Sequence, residues 1–295
     1  MPIAYAVGFC LSMEKIIFSN AFFNIEDTLN CGQIFRFSPY KLGYLVFSRD
    51  KCAYVYTSGE NTIIECEKCD KDYFYNYFDL SKDYSQIVFD AISTKVDILS
   101  KSATIGKGIR ILNQDKFEIF ISFIISQNNN IPRIKGIIEK MCTAIGEKKV
   151  FGDISYYTFP SLQALNSQSI DFFKEIGLGY RAEYVYAFVK DVFEGKINMD
   201  FLSTLSTSQL KKQLQAIYGI GPKVADCITL FAYHRGDSFP VDTWIYKVYT
   251  EDFNGKLLNR DKVSEWFVNS FGENAGYYQQ YLFYYKRSKE NNFKS

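Results

Sequence analysis

Residues 206–249 read STSQLKKQLQAIYGIGPKVADCITLFAYHRGDSFPVDTWIYKVY, and the spacing within this stretch decides the fold. Leu210, Leu214 and Ile217 recur at helical intervals behind Thr207 or Ser208, either of which can cap the helix start. Gly219 stands where a left-handed helix end is expected, and Gly219-Ile220-Gly221 turns the chain. Pro222 then takes the first position of a second helix, where its missing N–H costs nothing, and Val224, Ile228 and Phe231 continue an apolar face. The reading is helix, tight hairpin, helix. Gly219 and Gly221, beside a helix N-terminus, leave backbone N–H groups bare, an uncharged device for holding a phosphate oxygen.

Lys223 falls in the first turn of the second helix, where ordinary helix design places Asp or Glu. The positive end of the macrodipole works against a second positive charge there and favours the neutral amine, which is the nucleophilic form. A solvated surface lysine is the plainer account of this residue taken alone. Farther on, Phe239-Pro240-Val241 holds the chain extended and Asp242 precedes Ile245, Val248 and Tyr249 at helical spacing, the position of a helix cap. A capping carboxylate accepts backbone N–H bonds and can also face a developing positive charge across a cleft. An amine and a fixed anion at two neighbouring helix starts can together open a glycosidic bond through an oxocarbenium-like state.

Outward from this segment the chain divides in two. From Gln33 to about Glu67, short apolar and polar residues alternate (QIFRF, GYLVFS, CAYVYT, NTIIECE), with breaks at Ser38-Pro39, Lys41 to Gly43, Arg49-Asp50 and Ser58 to Asn61. This predicts an antiparallel sheet built of hairpins. From about Asp83 the period becomes helical, with stops at Gly146, Gly177, Gly195, Gly219 and Gly272. We therefore expect an α+β protein, with an N-terminal extension over 1–12, a sheet domain over 13–100 and a helical domain over 101–295. The opening MPIAYAVGFCLS lacks the basic start and cleavage site of a secretory signal.

Composition sets the outer bounds. With 295 residues, 47% hydrophobic and 23% charged, the chain is an ordinary globular protein, and 34 basic against 33 acidic side chains leave a net +1. No apolar run approaches the ~20 residues that cross a bilayer, so no membrane partner is expected. A sum near zero excludes a polybasic protein but not a nucleic-acid-binding face, which depends on local charge. Seven scattered cysteines fit a reducing, intracellular compartment better than a disulfide framework. Cys66 and Cys69 form a lone CxxC without a second pair or a suitable histidine, so no metal is expected. His234, the sole histidine, reads as a helix-end residue rather than a general base. No phosphate-binding Walker loop, serine triad or dinucleotide fingerprint occurs.

LQAIYGIGPKVADC followed by FPVDTW resembles the helix-hairpin-helix DNA glycosylase superfamily, and specifically the 8-oxoguanine DNA glycosylase family. Further stretches match in order: LNCGQIFRF, SQNNNIPRI, FPSLQAL, GLGYRAEYV and GYYQQYLFYYK, so the resemblance runs from roughly Asn24 to Phe283. It implies a sheet domain of the TATA-binding-protein type before the helical domain. It also implies a bifunctional enzyme that flips 8-oxoguanine out of duplex DNA, excises it and nicks the strand, acting as a monomer.

The resemblance assigns the catalytic roles to Lys223 and Asp242 and a base pocket to Gly32, Cys227, Gln279 and Phe283. Asn128 would fill the gap left by the flipped base, Tyr180 would wedge the duplex, and Arg133 and Arg181 would meet the orphaned cytosine. The chemistry of these residue types suits the tasks. A primary amide can read a Watson–Crick edge while a ring stacks on the base, and Gln279 and Phe283 are four apart on one helix face. Oxidation turns guanine N7 from an acceptor into an N–H donor, so a backbone carbonyl at Gly32 would reward the lesion. Arginine presents donors to the acceptors of cytosine.

Two departures are visible. The family commonly has histidine where this chain has Trp244, and relatives with an iron–sulfur cluster carry four cysteines after the aspartate, whereas none follows Cys227 here. No cofactor is expected. A non-catalytic, damage-binding hairpin module is the alternative from a different class; it would use the hairpin for phosphate alone.

Overall fold

Residues 12–292 are described by the computed structural model, with side chains to Lys289; the expected extension over 1–12 lies almost wholly outside them. The alternating region pairs as an antiparallel sheet. Strand β1 covers Met13–Ser19, β2 Phe37–Tyr40, β3 Gly43–Ser48, β4 Lys51–Ser58 and β5 Asn61–Glu67, in the spatial order β1-β5-β4-β3-β2. Each hairpin turns where the breaks predicted: Tyr40 pairs Gly43, Ser48 pairs Lys51 and Ser58 pairs Asn61, and Lys41, Arg49 and Gly59 take positive φ there.

Three details differ from the sequence reading. Ser38-Pro39 is not a turn but lies within β2, an edge strand, which tolerates a residue without an N–H. Strand β1 was not foreseen; its MEKIIFS leaves Ile17 64% exposed and buries only Ile16, a weak alternation. A second hairpin, β6 (Lys148–Phe151) with β7 (Ile154–Tyr157), interrupts the helical region, and Phe151 packs on Leu45 and Cys52 of the main sheet.

Behind the sheet, Phe74, Tyr77 and Phe78 fill one core together with Val46, Val55, Ile64 and Leu112. The helical region builds a larger core around Ile119 to Ile125, Phe188, Leu214, Ile228 and Phe239. Cys31 and Phe35 belong to this second core although they precede most of the sheet, so the first half of the chain donates a segment to the second. That segment carries Gly32. Next to it Gln33 is fully buried: its amide nitrogen donates to the carbonyls of Thr28 (3.1 Å) and Arg110 (2.7 Å), and its oxygen accepts from the Leu112 N–H (2.9 Å).

Candidate active site

The predicted helix-hairpin-helix forms, with shifted ends. The first helix spans Thr207–Gln215, and its cap is Ser206, one residue earlier than expected, because Gln209 three residues on closes a reciprocal capping box. The helix ends at Ala216 in right-handed conformation, and Gly219 (φ +85°) serves the turn rather than the cap. A Cβ there would stand 2.3 Å from the Tyr184 ring, so glycine is also required by close packing. The second helix, Pro222–Phe231, starts as predicted with proline in its first turn and Gly221 as its cap. Asp226, one turn past Lys223, is buried and anchors this helix through Lys211 (2.7 Å), Ser238 and Ser264. Burial pushes the Asp226 carboxyl up, against the pull of Lys211.

Asp242 caps the Thr243–Lys247 helix, its Oδ1 accepting from the Ile245 N–H at 2.9 Å. Lys223 and Asp242 line one cavity of about 570 Å³, within the range of ligand sites. The same cavity is lined by Gly32, Cys227, Gln279 and Phe283, so the catalytic pair and the four pocket residues proposed from the sequence come together. The Lys223 ammonium lies 5.5 Å from the centre of the Phe123 ring, which caps one side. Burial raises the Asp242 carboxyl above its ordinary value, opposed by the Ile245 N–H and by the charge of Lys223. Burial likewise holds Cys227 as a thiol, pushed up to about 11, so it offers a neutral apolar wall.

Phe283 lines the same cavity. Gly32 (φ +84°) lies against its edge: a Cβ on Gly32 would stand 3.0 Å from the ring. The side-chain amide of Gln279, 4% exposed, donates to the Pro240 carbonyl at 3.3 Å, and the Gln280 side-chain amide donates to Gln279 Oε1 at 2.6 Å.

Among the lining residues that the sequence reading missed are Cys31, Gln280 and Arg287. Arg287 donates to the Asn30 carbonyl at 2.8 Å and stacks 5.4 Å over the Phe283 ring, clamping the Gly32 loop to the C-terminal helix (Ala275–Asn292). Its signal was available, since Arg287 follows Phe283 by one helical turn. Trp244 also lines the cavity, with Lys247 5.1 Å over its ring.

The remaining predicted residues cluster around the Asn loop. The Lys116–Ser126 helix ends at Gln127 as its C-cap, Asn128 adopts positive φ (45°), and Asn130 caps the Ile131–Ile145 helix by accepting from the Arg133 N–H. Tyr180 is 49% exposed, and its hydroxyl accepts from the Asn128 amide at 3.3 Å. Arg133 is exposed, with one bond to the Gly177 carbonyl.

Arg181 lies against the same loop. It is 3% exposed, and its guanidinium turns inward onto the carbonyls of Gln127, Asn128 and Leu178. The Gln127 and Asn128 carbonyls follow a helix end, where acceptors lack intrahelical donors, and the arginine satisfies them. Cys66 and Cys69 also part company, the first buried in the sheet and the second exposed. Among the described residues no helix is long and apolar enough to cross a membrane.

Comparison with known proteins agrees with this arrangement. The family model described as 8-oxoguanine DNA glycosylase, N-terminal domain, matches residues 15–120. The solved complex of MBOgg1 with a low-affinity DNA ligand superposes with a TM-score of 0.89 at 35% identity, covering 95% of this chain and 99% of that one. The 8-oxoguanine glycosylase/lyase of Clostridium acetobutylicum, solved with duplex DNA containing cytosine opposite 8-oxoguanine, gives 0.88 at 35% identity over 95% and 98% of the two chains. The N-glycosylase/DNA lyase OGG1 of Arabidopsis thaliana is 35% identical over 192 residues, 60% of this chain and 52% of the plant protein. The chain thus spans about half the length of the first curated relatives it matches. The fold is that of DNA glycosylases, and the chain belongs to the 8-oxoguanine DNA glycosylase family.

Proposed function

We propose that this protein is a bifunctional glycosylase and abasic-site lyase that removes 8-oxoguanine from duplex DNA. The observation that carries the reading is the convergence of Lys223 and Asp242 on one cavity whose walls are a neutral thiol, an aromatic ring, a buried amide and a glycine backbone. A purine extruded into that slot places its sugar C1′ at the mouth, beside the amine. The Lys223 nitrogen attacks C1′, the C1′–N9 bond breaks, and the base departs with the bonding electrons and takes up a proton. Asp242, held by the Ile245 N–H, stabilises the positive charge that develops at the sugar. Opening of the sugar ring gives a protonated Schiff base. Loss of a C2′ proton then expels the 3′ phosphate and leaves a strand nicked on that side of the lesion.

Around the slot, Asn128 and Tyr180 fill and wedge the emptied duplex, the Gly219–Gly221 hairpin holds phosphate, and exposed Arg133 meets the orphaned cytosine. The donor set of the slot asks for no metal or cofactor. The partner is double-stranded DNA carrying oxidised guanine, bound by one copy of the chain inside the cell.

The test is incubation with a duplex bearing one 8-oxoguanine opposite cytosine. Free 8-oxoguanine and a strand cut on the 3′ side of the lesion are expected, with slower release against the other three bases. Persistence of the intact lesion strand, with tight binding alone, would overturn the reading in favour of a damage-binding module.

A further inference from the structure

The slot's polar wall contains two consecutive amides, and one carbonyl fixes the direction of both. The Pro240 carbonyl can only accept, so the end of Gln279 that meets it must be the NH₂ group. The other end is therefore Oε1, and the group that meets it at 2.6 Å must be the NH₂ of Gln280. This leaves Gln280 Oε1 as the far end of the series. It is buried in a residue 2% exposed, has no hydrogen-bond partner among the described residues, and belongs to a side chain that lines the cavity. Native structures seldom leave a buried acceptor unpaired, and a ligand donor is one way to satisfy it.

We propose that Gln280 is a specificity-determining residue: it locks the Gln279 amide in one orientation and accepts from the exocyclic N2 amine of the flipped guanine base. This rests on the reading of the cavity as an 8-oxoguanine pocket. Along guanine's Watson–Crick edge, N1–H and the N2 amine are adjacent donors. The amide relay offers two acceptors in the same order, the second lone pair of Gln279 Oε1 and the orphan Gln280 Oε1. Adenine, which pairs an acceptor with a single donor on that edge, fits neither. Because Pro240 lies two residues before Asp242, the relay also joins base reading to the segment that carries the catalytic carboxylate.

A substrate change tests this at the level of one atom. 8-Oxohypoxanthine retains N1–H, N7–H and both carbonyls of the lesion and lacks only the N2 amine. Single-turnover excision of the two bases, each opposite cytosine, is expected to favour 8-oxoguanine about five-fold in the unaltered protein, the worth of one neutral hydrogen bond. In Gln280→Met the preference should collapse toward one, while the ratio of 8-oxoguanine excision to strand cleavage at a preformed abasic site falls about five-fold. A defect of folding would instead lower excision and cleavage together and leave their ratio unchanged. Equal rates on the two bases in the unaltered protein, or an undiminished preference in Gln280→Met, would overturn the proposal. Failure to release 8-oxoguanine at all would instead overturn the function on which it rests.

Discussion

Two buried polar regions of this protein are built in opposite ways. At the junction of sheet and helices, Arg110 is 1% exposed, yet its guanidinium donates to the carbonyls of Phe22 (3.2 Å), Phe78 (2.9 Å), Lys82 (2.8 Å) and Asp79, and it stacks 4.0 Å over Tyr84. In the slot, Gln280 Oε1 and Arg287 Nη1 are also hidden and have no hydrogen-bond partner among the described residues. A satisfied network holds two halves in register, whereas an unsatisfied one keeps hydrogen-bonding capacity for something that arrives. Burial is therefore a poor guide to role by itself, and the count of partners separates the two.

The contrast can be broken from the slot side first. Asp242→Asn should lower the single-turnover excision rate by roughly 10²- to 10³-fold, because the developing charge loses its counter-ion. Burial raises the folded-state pKa of Asp242 above its unfolded value, so its contribution to stability is present at low pH and is lost as pH rises through the raised value. The asparagine still caps the helix and carries no buried charge, so the Tm at neutral pH should be no lower than that of the unaltered protein. The same shift places the acid limb of the wild-type rate above an ordinary aspartate's range, and that limb should vanish in Asp242→Asn. A Tm drop of many degrees, or an unshifted acid limb, would contradict this assignment.

At the junction the pattern inverts. Arg110→Ala should cost on the order of 3 to 5 kcal/mol in denaturant unfolding, since several carbonyls lose their donor in a dry site. Its excision rate per folded molecule should change far less than that of Asp242→Asn. Gly32→Ala is an intermediate case, because the new Cβ meets the Phe283 ring at 3.0 Å in a backbone conformation with φ +84°. A loss of about ten-fold in lesion affinity is expected, from a strain of roughly 1 to 2 kcal/mol. Smallest of all, Arg287→Met keeps the stem that packs on Phe283 but frees the Asn30 carbonyl, and excision should slow about two- to five-fold.

Much of this was legible in the residues. The hairpin, its proline start and the Asp242 cap follow from local rules and form with both ends of the first helix displaced, because Gln209 makes Ser206 the better cap and the helix stops at Ala216, before Gly219. The three sheet hairpins follow from turn chemistry in the same way. Strand β1 and the β6–β7 hairpin did not announce themselves, since each is held by pairing or packing with residues distant in sequence. The burial of Arg181 was not legible for a related reason. Its residue type suits cytosine, and the carbonyls freed where the Lys116–Ser126 helix ends lie close by in space and hold the guanidinium. Gln280 was overlooked because an amide next to the amide expected to read the base looks redundant until the direction of its hydrogen bonds is followed.

The most direct test of the account is borohydride reduction during the reaction on an 8-oxoguanine duplex, followed by peptide mapping of the product. One covalent DNA adduct is expected, carried on Lys223 and absent from Lys223→Gln. Base release without any adduct, or an adduct that persists on another lysine when Lys223 is replaced, would contradict it.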